Sequence, residues 1–222
     1  MTVGPFQSNC YVVGPTSAGR LVVIDPGDEG ERIASVIREA GGDVAAILLT
    51  HAHLDHIGGV AHLVREFGAP VYLHPDDRPM YDLVVEIGLK YGLQIEEPPP
   101  PDLPFVDGES VVFDDLEFEV RLTPGHSPGS VTLIGGPGAF VGDAVFAGSI
   151  GRTDLPGGDT ETLLEAIVTR ILTLPPKTVL LPGHGPETSV AAESATNPFL
   201  ARLMEPCPHC GHPHPHGDCP DA

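Results

Sequence analysis

Basic residues are scarce in this chain: 11 Lys and Arg stand against 31 Asp and Glu, a formal charge of −20 over 222 residues. Phosphate backbones are gripped by Lys and Arg, so no nucleic-acid partner is expected. An anionic membrane surface is disfavoured for the same reason. A small anionic substrate stays compatible only where metal cations dominate the local field. No apolar run approaches the roughly 20 residues that span a bilayer. The first residues, MTVGPFQSNCYVVG, lack the basic start and apolar stretch of a secretory leader, which predicts a cytoplasmic protein. Cysteine is also sparse. Cys10 stands alone in an apolar run, as a small buried hydrophobe would. The other three, Cys207, Cys210 and Cys219, crowd the last sixteen residues, where C-x-x-C in a cytosolic chain reads as metal or redox chemistry before a disulfide. There is no Ser-His-Asp nucleophile pattern, and AGSIG is not G-x-S-x-G.

What the chain does have is a globular balance, 41% hydrophobic and 19% charged, and length for one large domain with a substantial core. Residues 1–205 are expected to form that domain and 206–222 a separate tail. Short apolar runs bounded by Gly and Pro predict strands at NCYVVG, RLVVIDPG, VAAILLT, PVYLH, SVTLIGG, AFVGDAVF and TVLLPGHG, with a hairpin over ESVVFDDLEFEVRLT. A helix follows Asp28, with capping-box spacing to Glu31, an apolar stripe at Ile33, Val36, Ile37 and Ala40, and Gly41 as the stop. Further helices are predicted from about His56 to Phe67, around 76–91, and from an Asp159 or Thr160 cap through DTETLLEAIVTRILTL. EEPPPPDLP reads as a connecting loop. Hairpins mixed with helix-flanked strands predict a layered α/β fold rather than a uniform βαβ wrap.

The chemistry concentrates in LLTHAHLDHIGG. His51, His53, Asp55 and His56 arrive within six positions after a buried strand, too compact for one tetrahedral ion and better divided between two neighbours. If the chain stays extended there, His51 and His53 share one side of it. Gly58 and Gly59 permit close backbone approach at the helix that follows. Three later stretches repeat one grammar of apolar strand, Gly/Pro turn and ligand-type residue: His126 in LTPGHSPGS, Asp143 in FVGDAVF and His184 in LLPGHGPET. Each residue alone could merely solvate its turn. Together with the compact cluster they indicate a metal site.

H-x-H-x-D-H followed by His, Asp and His on later strand-end loops resembles the signature of the metallo-β-lactamase fold hydrolases. The likeness runs from NCYVV to about residue 205. It implies an αββα four-layer sandwich with metals at one edge of two mixed sheets. It further implies one ion on His51, His53 and His126, a second on Asp55, His56 and His184, and Asp143 bridging them. GDAVFAGSIGRTDLPGGD and PGHGPETSVAAESATNPF resemble the short bacterial glyoxalase II-like proteins. They imply a thioesterase acting on S-2-hydroxyacyl glutathione, such as S-lactoylglutathione, or an analogous thiol conjugate. Longer glyoxalase II enzymes carry a basic C-terminal region that grips glutathione, and this chain changes character at NPFLARLMEP instead.

Two divalent ions, zinc with iron or manganese as alternatives, would make hydroxide available near neutral pH, with Asp55 orienting it or accepting its proton. A thiolate leaves without a dedicated general acid. Arg152, in GRTD, either pairs with a substrate carboxylate or locks the Asp143 loop through Asp154. Tyr11, Tyr72, Tyr81 and Tyr91 could line a pocket, although such tyrosines more often belong to core or rim. The runner-up is a persulfide dioxygenase with one iron on His51, His126 and Asp143, and a third reading is a non-enzymatic metal-binding protein. In the tail, Cys207, Cys210 and Cys219 with His212 or His216 have the make-up of a Cys3His zinc site, set against a tail that binds metal only adventitiously. The expected partner is a small-molecule thioester, and the expected state a monomer or homodimer.

Overall fold

The computed structural model describes residues 1–15 and 19–200. The tail zinc ligands predicted at Cys207, Cys210, His212 and Cys219 lie outside them.

Strands β1 (Thr2–Val3) and β2 (Ser8–Asn9) make an antiparallel ribbon at the N-terminus. Strands β3 (Tyr11–Val13), β4 (Leu21–Ile24), β5 (Val44–Leu48), β6 (Val71–Leu73) and β7 (Leu103–Pro104) lie side by side in that order in one sheet. β3 is antiparallel to β4, and the remaining pairs are parallel. The second sheet draws on β8 (Ser110–Phe113), β9 (Leu116–Leu122), β10 (Val131–Gly135), β11 (Gly138–Gly142), β14 (Val179–Pro182) and β15 (Thr188–Ser189), in the order β15-β14-β11-β10-β9-β8. Between β11 and β14 a ribbon of β12 (Val145–Phe146) and β13 (Ser149–Ile150) stands apart. Helices are α1 (Gly30–Glu39), α2 (Leu54–Ile57), α3 (Val60–Phe67), α4 (Arg78–Tyr81), α5 (Val84–Lys90), α6 (Thr160–Ala166) and α7 (Val190–Thr196).

The two-residue period of the strands decides how the layers stack. In β4, Leu21 and Val23 face the helices, packing with Ile33 and Ile37 of α1 and with Val60 and Leu63 of α3. Val22 and Ile24 face the other way and meet Phe118, Val120, Leu133 and Phe140 of the second sheet. The second sheet repeats the device: Phe140 and Leu181 point between the sheets, while Ala139, Val141 and Leu180 pack against Leu163, Ile167 and Ile171 of α6 and its continuation. Three apolar interfaces in series give helix, sheet, sheet, helix, the predicted four-layer sandwich. Strands buried on both faces read as continuous apolar runs, which is why VAAILL carries no alternation.

Several local expectations need correction. The capping box at Asp28 is not formed. Glu29 is the N-cap in a left-handed conformation (φ 52°), and Asp28 Oδ1 accepts from the Glu29 amide instead (2.6 Å). The turn there is dictated by packing, because a Cβ on Gly27 would lie 1.7 Å from the Asp55 carbonyl oxygen. The helix expected over 56–67 is two helices, with Gly58 and Gly59 at the break, where the Gly59 amide donates to the Pro26 carbonyl. The 76–91 stretch is a 3-10 turn, Pro75–Asp77, followed by α4 and α5. EEPPPPDLP is not wholly loop, since Leu103 and Pro104 add an edge strand, a position proline tolerates. AFVGDAVF is β11 and β12 with Asp143 in the gap between them. No helix of the described residues is long and apolar enough to cross a membrane.

Candidate metal centre

Strand ends of both sheets converge at one edge of the sandwich. β5 delivers His51 and His53, α2 delivers Asp55 and His56, and the β9–β10 turn delivers His126. Asp143 follows β11 and His184 follows β14. His51, His53 and His126 offer nitrogens within 4.8 Å of one another, and so do the donor atoms of Asp55, His56 and His184. His53 Nδ1 and His126 Nε2 stand 2.7 Å apart. Asp143 lies between the two groups: its Oδ2 is 3.5 Å from His126 Nε2 and 3.6 Å from His184 Nε2, and its Oδ1 is 3.4 Å from His56 Nε2. Asp55 Oδ2 is 3.0 Å from His184 Nε2. All seven sequence-predicted ligands are therefore brought together.

The hydrogen bonds behind the rings show which nitrogens face the cluster. Thr50 Oγ1 donates to Asp25 Oδ2 (2.6 Å) and so accepts from His51 Nδ1 (3.1 Å). Asp25 Oδ2 also accepts from His56 Nδ1 (3.1 Å), and the Arg152 carbonyl accepts from His126 Nδ1 (2.7 Å). Each of these rings thus donates outward through Nδ1 and turns its Nε2 inward, the arrangement of a metal-ligating histidine. Among the described residues, four buried side-chain polar atoms lack a hydrogen-bond partner, and His51 Nε2, His56 Nε2 and Asp143 Oδ1 are three of them. Buried polar atoms seldom stay unpaired. Imidazole nitrogens and a carboxylate oxygen converging on one place suit divalent cations, so the residues fit the ions that the motif implies.

The halves differ electrostatically. Burial, reinforced by neighbouring histidines, drives the His51 pKa well below the ordinary range and that of His53 down to about 3. Burial would do the same to His56, but Asp143 and Asp25 outweigh it and raise its pKa. At Asp143 and Asp55, burial pushes upward, and the histidines beside them more than compensate, holding both carboxylates low.

Arg152 does not face the cluster with its side chain. The guanidinium forks onto Asp154 (2.7 Å twice) in solvent, and its link to the centre is its carbonyl oxygen. Tyr81 is buried, whereas Tyr91 is exposed and meets Phe6 edge-on at 6.0 Å. Cys10 is fully buried, as predicted.

Sequence reasoning missed the braces. Asp25 orients both Thr50 and His56, and it follows β4 with the strand, ligand-type residue and Pro-Gly grammar that found the others. Asn9 was given no role, yet its side chain donates to the Pro182 and Gly185 carbonyls (3.0 and 2.8 Å), and Tyr11 Oη donates to Pro182 (2.7 Å), pinning the His184 loop. Away from the centre, Glu31, His62 and Glu66 cluster on the outer face of α1 and α3, where Arg38 bridges both glutamates and Arg65 contacts His62. That is a surface charge network.

The Metallo-beta-lactamase superfamily profile matches residues 3–184. The chain is 43% identical over 204 residues to the probable metallo-hydrolase YqgX of Bacillus subtilis, covering 90% of this chain and 95% of that protein. It is 37% identical over 202 residues to the hydroxyacylglutathione hydrolase GloC of Haemophilus influenzae, covering 89% and 95%. Among solved structures it is similar to TTHA1623 in a di-iron-bound form, with TM-score 0.83, 45% identity and coverage of 90% and 98%. It is also similar to the BLEG-1 B3 metallo-beta-lactamase, with TM-score 0.84, 39% identity and coverage of 90% and 97%.

Proposed function

The chain belongs to the metallo-β-lactamase superfamily, and on that premise we propose that it is a binuclear metal-dependent hydrolase of small thioesters of the S-2-hydroxyacyl glutathione kind. Similarity to a hydroxyacylglutathione hydrolase and to a di-iron structure supports the reading. The observation that carries it is the inward aim of the unpartnered buried atoms of His51, His56 and Asp143. His51, His53 and His126 would hold one ion; Asp55, His56 and His184 would hold the other; Asp143, within reach of both groups, would join them.

Bound there, two divalent cations supply Lewis acidity, bringing a water's pKa towards neutrality and polarising a carbonyl oxygen. The chain's own part is orientation. Asp55, an acceptor when ionised, is placed to direct the attacking water by hydrogen bonding. His51, His56 and His126 are locked in one tautomer by Thr50, Asp25 and the Arg152 carbonyl, so no reorientation is needed during turnover. The thiolate product is stable enough to leave without a protonating side chain. Beside Asp55 lies a small cleft of about 80 Å³, walled by Phe6, Leu54, Leu93 and Ile95. Among the described residues the charged side chains of its lining are Asp28 and Asp55, so it suits an apolar group rather than a carboxylate.

The test is a metal count joined to a substrate panel, on full-length chain with Cys207, Cys210 and Cys219 changed to serine. About two ions per chain and thiol release from a hydroxyacyl thioester are expected. One iron per chain with oxygen consumption on glutathione persulfide would overturn the hydrolase in favour of a dioxygenase. A β-lactam cleaved in preference to every thioester would overturn the substrate class alone.

A further inference from the structure

Asp77 was not among the residues singled out from the sequence, and it is not within the ligand groups. It ends the 3-10 turn after β6 and is wholly buried. Its carboxylate accepts three hydrogen bonds. Oδ2 takes the amide of Ala52 (2.9 Å) and the hydroxyl of Ser127 (2.7 Å), and Oδ1 takes the amide of Gly129 (2.6 Å). Ala52 lies between His51 and His53, and Ser127 follows His126. The three donors therefore belong to the two loops that carry His51, His53 and His126. One loop leaves the first sheet and the other joins β9 to β10 in the second, so the carboxylate ties the halves of the sandwich together where those histidines meet. The fit is tight, since a Cβ on Gly129 would come within 2.9 Å of Asp77 Oδ1 and 2.7 Å of its amide nitrogen. Ser127 Oγ also lies 2.7 Å from Ser130 Oγ, which in turn accepts from the Ser127 amide, so the turn is held from both sides.

We propose that Asp77 is a positioning residue for the His51, His53 and His126 group, setting the distance between its two loops and thereby the affinity of that group for its ion. A buried carboxylate is costly unless its oxygens are satisfied, and here all three partners belong to ligand loops. A neutral amide could not serve equally. Asparagine keeps one acceptor oxygen, but its NH2 group would face either the Gly129 amide or the Ala52 and Ser127 donors. The other group has braces of its own: Asp25, which also reaches His51 through Thr50, holds His56, and Asn9 and Tyr11 hold the His184 loop. Loss of Asp77 should therefore act on one ion and spare the other. This inference rests on the binuclear reading.

The experiment is a zinc titration against a chromophoric chelator, on the same Cys207, Cys210 and Cys219 to serine background. Asp77→Asn is expected to weaken one of two zinc ions by about 10- to 100-fold, the usual range for residues behind a ligand, and to leave the other in place. Its titration should resemble that of His126→Ala rather than His184→Ala. Ser127→Ala, which removes one donor and spares the fold, should shift the same ion by less, and it carries the test if Asp77→Asn does not fold. Ile37→Ala, in the core behind α1, supplies a control that lowers stability without touching either loop. Both ions unchanged in Asp77→Asn and Ser127→Ala, or both weakened alike as stability falls, would overturn the inference. A background chain that binds no zinc at the cluster would overturn the binuclear reading and this inference together. A background chain that binds two, with both variants binding two equally well, would overturn this inference alone.

Discussion

At the residue scale the centre depends on side chains that are missing as much as on those present. Gly183 precedes His184, and a Cβ there would lie 2.1 Å from Asp143 Oδ1 and 2.6 Å from His56 Cε1. His56 cannot yield, because it is fully buried and tied to Asp25. Gly183→Ala should lower metal affinity by at least about 10-fold, the scale seen when ligand orientation is disturbed, while far-UV circular dichroism stays unchanged. A variant with full metal loading would refute that account of the glycine. The candidate ligands themselves were legible from residue types and spacing. Their tautomers were not, because they depend on Asp25, which holds His56 directly and His51 through the adjacent Thr50, and on the Arg152 carbonyl behind His126, both remote in sequence.

At the element scale, short helices act as wedges behind the ligand loops. α6 starts at Asp159, whose side chain caps the Thr162 amide (2.8 Å) and whose own amide donates to the Gly125 carbonyl (2.8 Å). Gly125 (φ +120°) packs so closely on α6 that a Cβ would sit 2.3 Å from the Leu163 nitrogen. The helix thus supports the turn bearing His126. Asp159→Ala should cost about 1 kcal/mol from the lost cap, lowering Tm by roughly 2–4 °C in a domain of this size, as calorimetry would measure. Unchanged Tm would mean that the cap contributes nothing here. Asp159 was readable as a cap because the helix behind it is amphipathic. Asp28 was misread because its spacing to Glu31 imitates a capping box, while the contact of Gly27 with Asp55 forces another turn.

At the scale of the whole molecule, burial of weak acids predicts an alkaline limit to stability. Cys10 has its pKa pushed up to about 12 by complete burial, and burial also raises Tyr11 and Tyr81. An unfolded thiol ionises near pH 8.5. Below that pH both states keep the proton and the stabilisation is intact. Above it the unfolded chain releases a proton that the folded chain retains, so stability falls as pH rises towards 12. Urea midpoints should therefore decline from about pH 8.5 upwards. Cys10→Ala should flatten the decline up to about pH 10, where the tyrosines take over. Parallel profiles for the two proteins would rule Cys10 out as the source.

Read as a string, the chain already holds its layers and its candidate ligands. Apolar runs of strand length need burial on both faces, amphipathic helices need one face covered, and His, His, Asp and His within six positions need a cation; these are local demands, settled by residue type and period. Which carboxylate braces which histidine is not local. Asp25 and His56 are 31 positions apart, Asp77 and Gly129 are 52, and Asn9 and Gly185 are 176. No periodicity links such pairs. They meet because two sheets, each burying one face on the other, bring their strand ends to a common edge, where an unpaired buried carboxylate must find whatever donors the opposite loop presents.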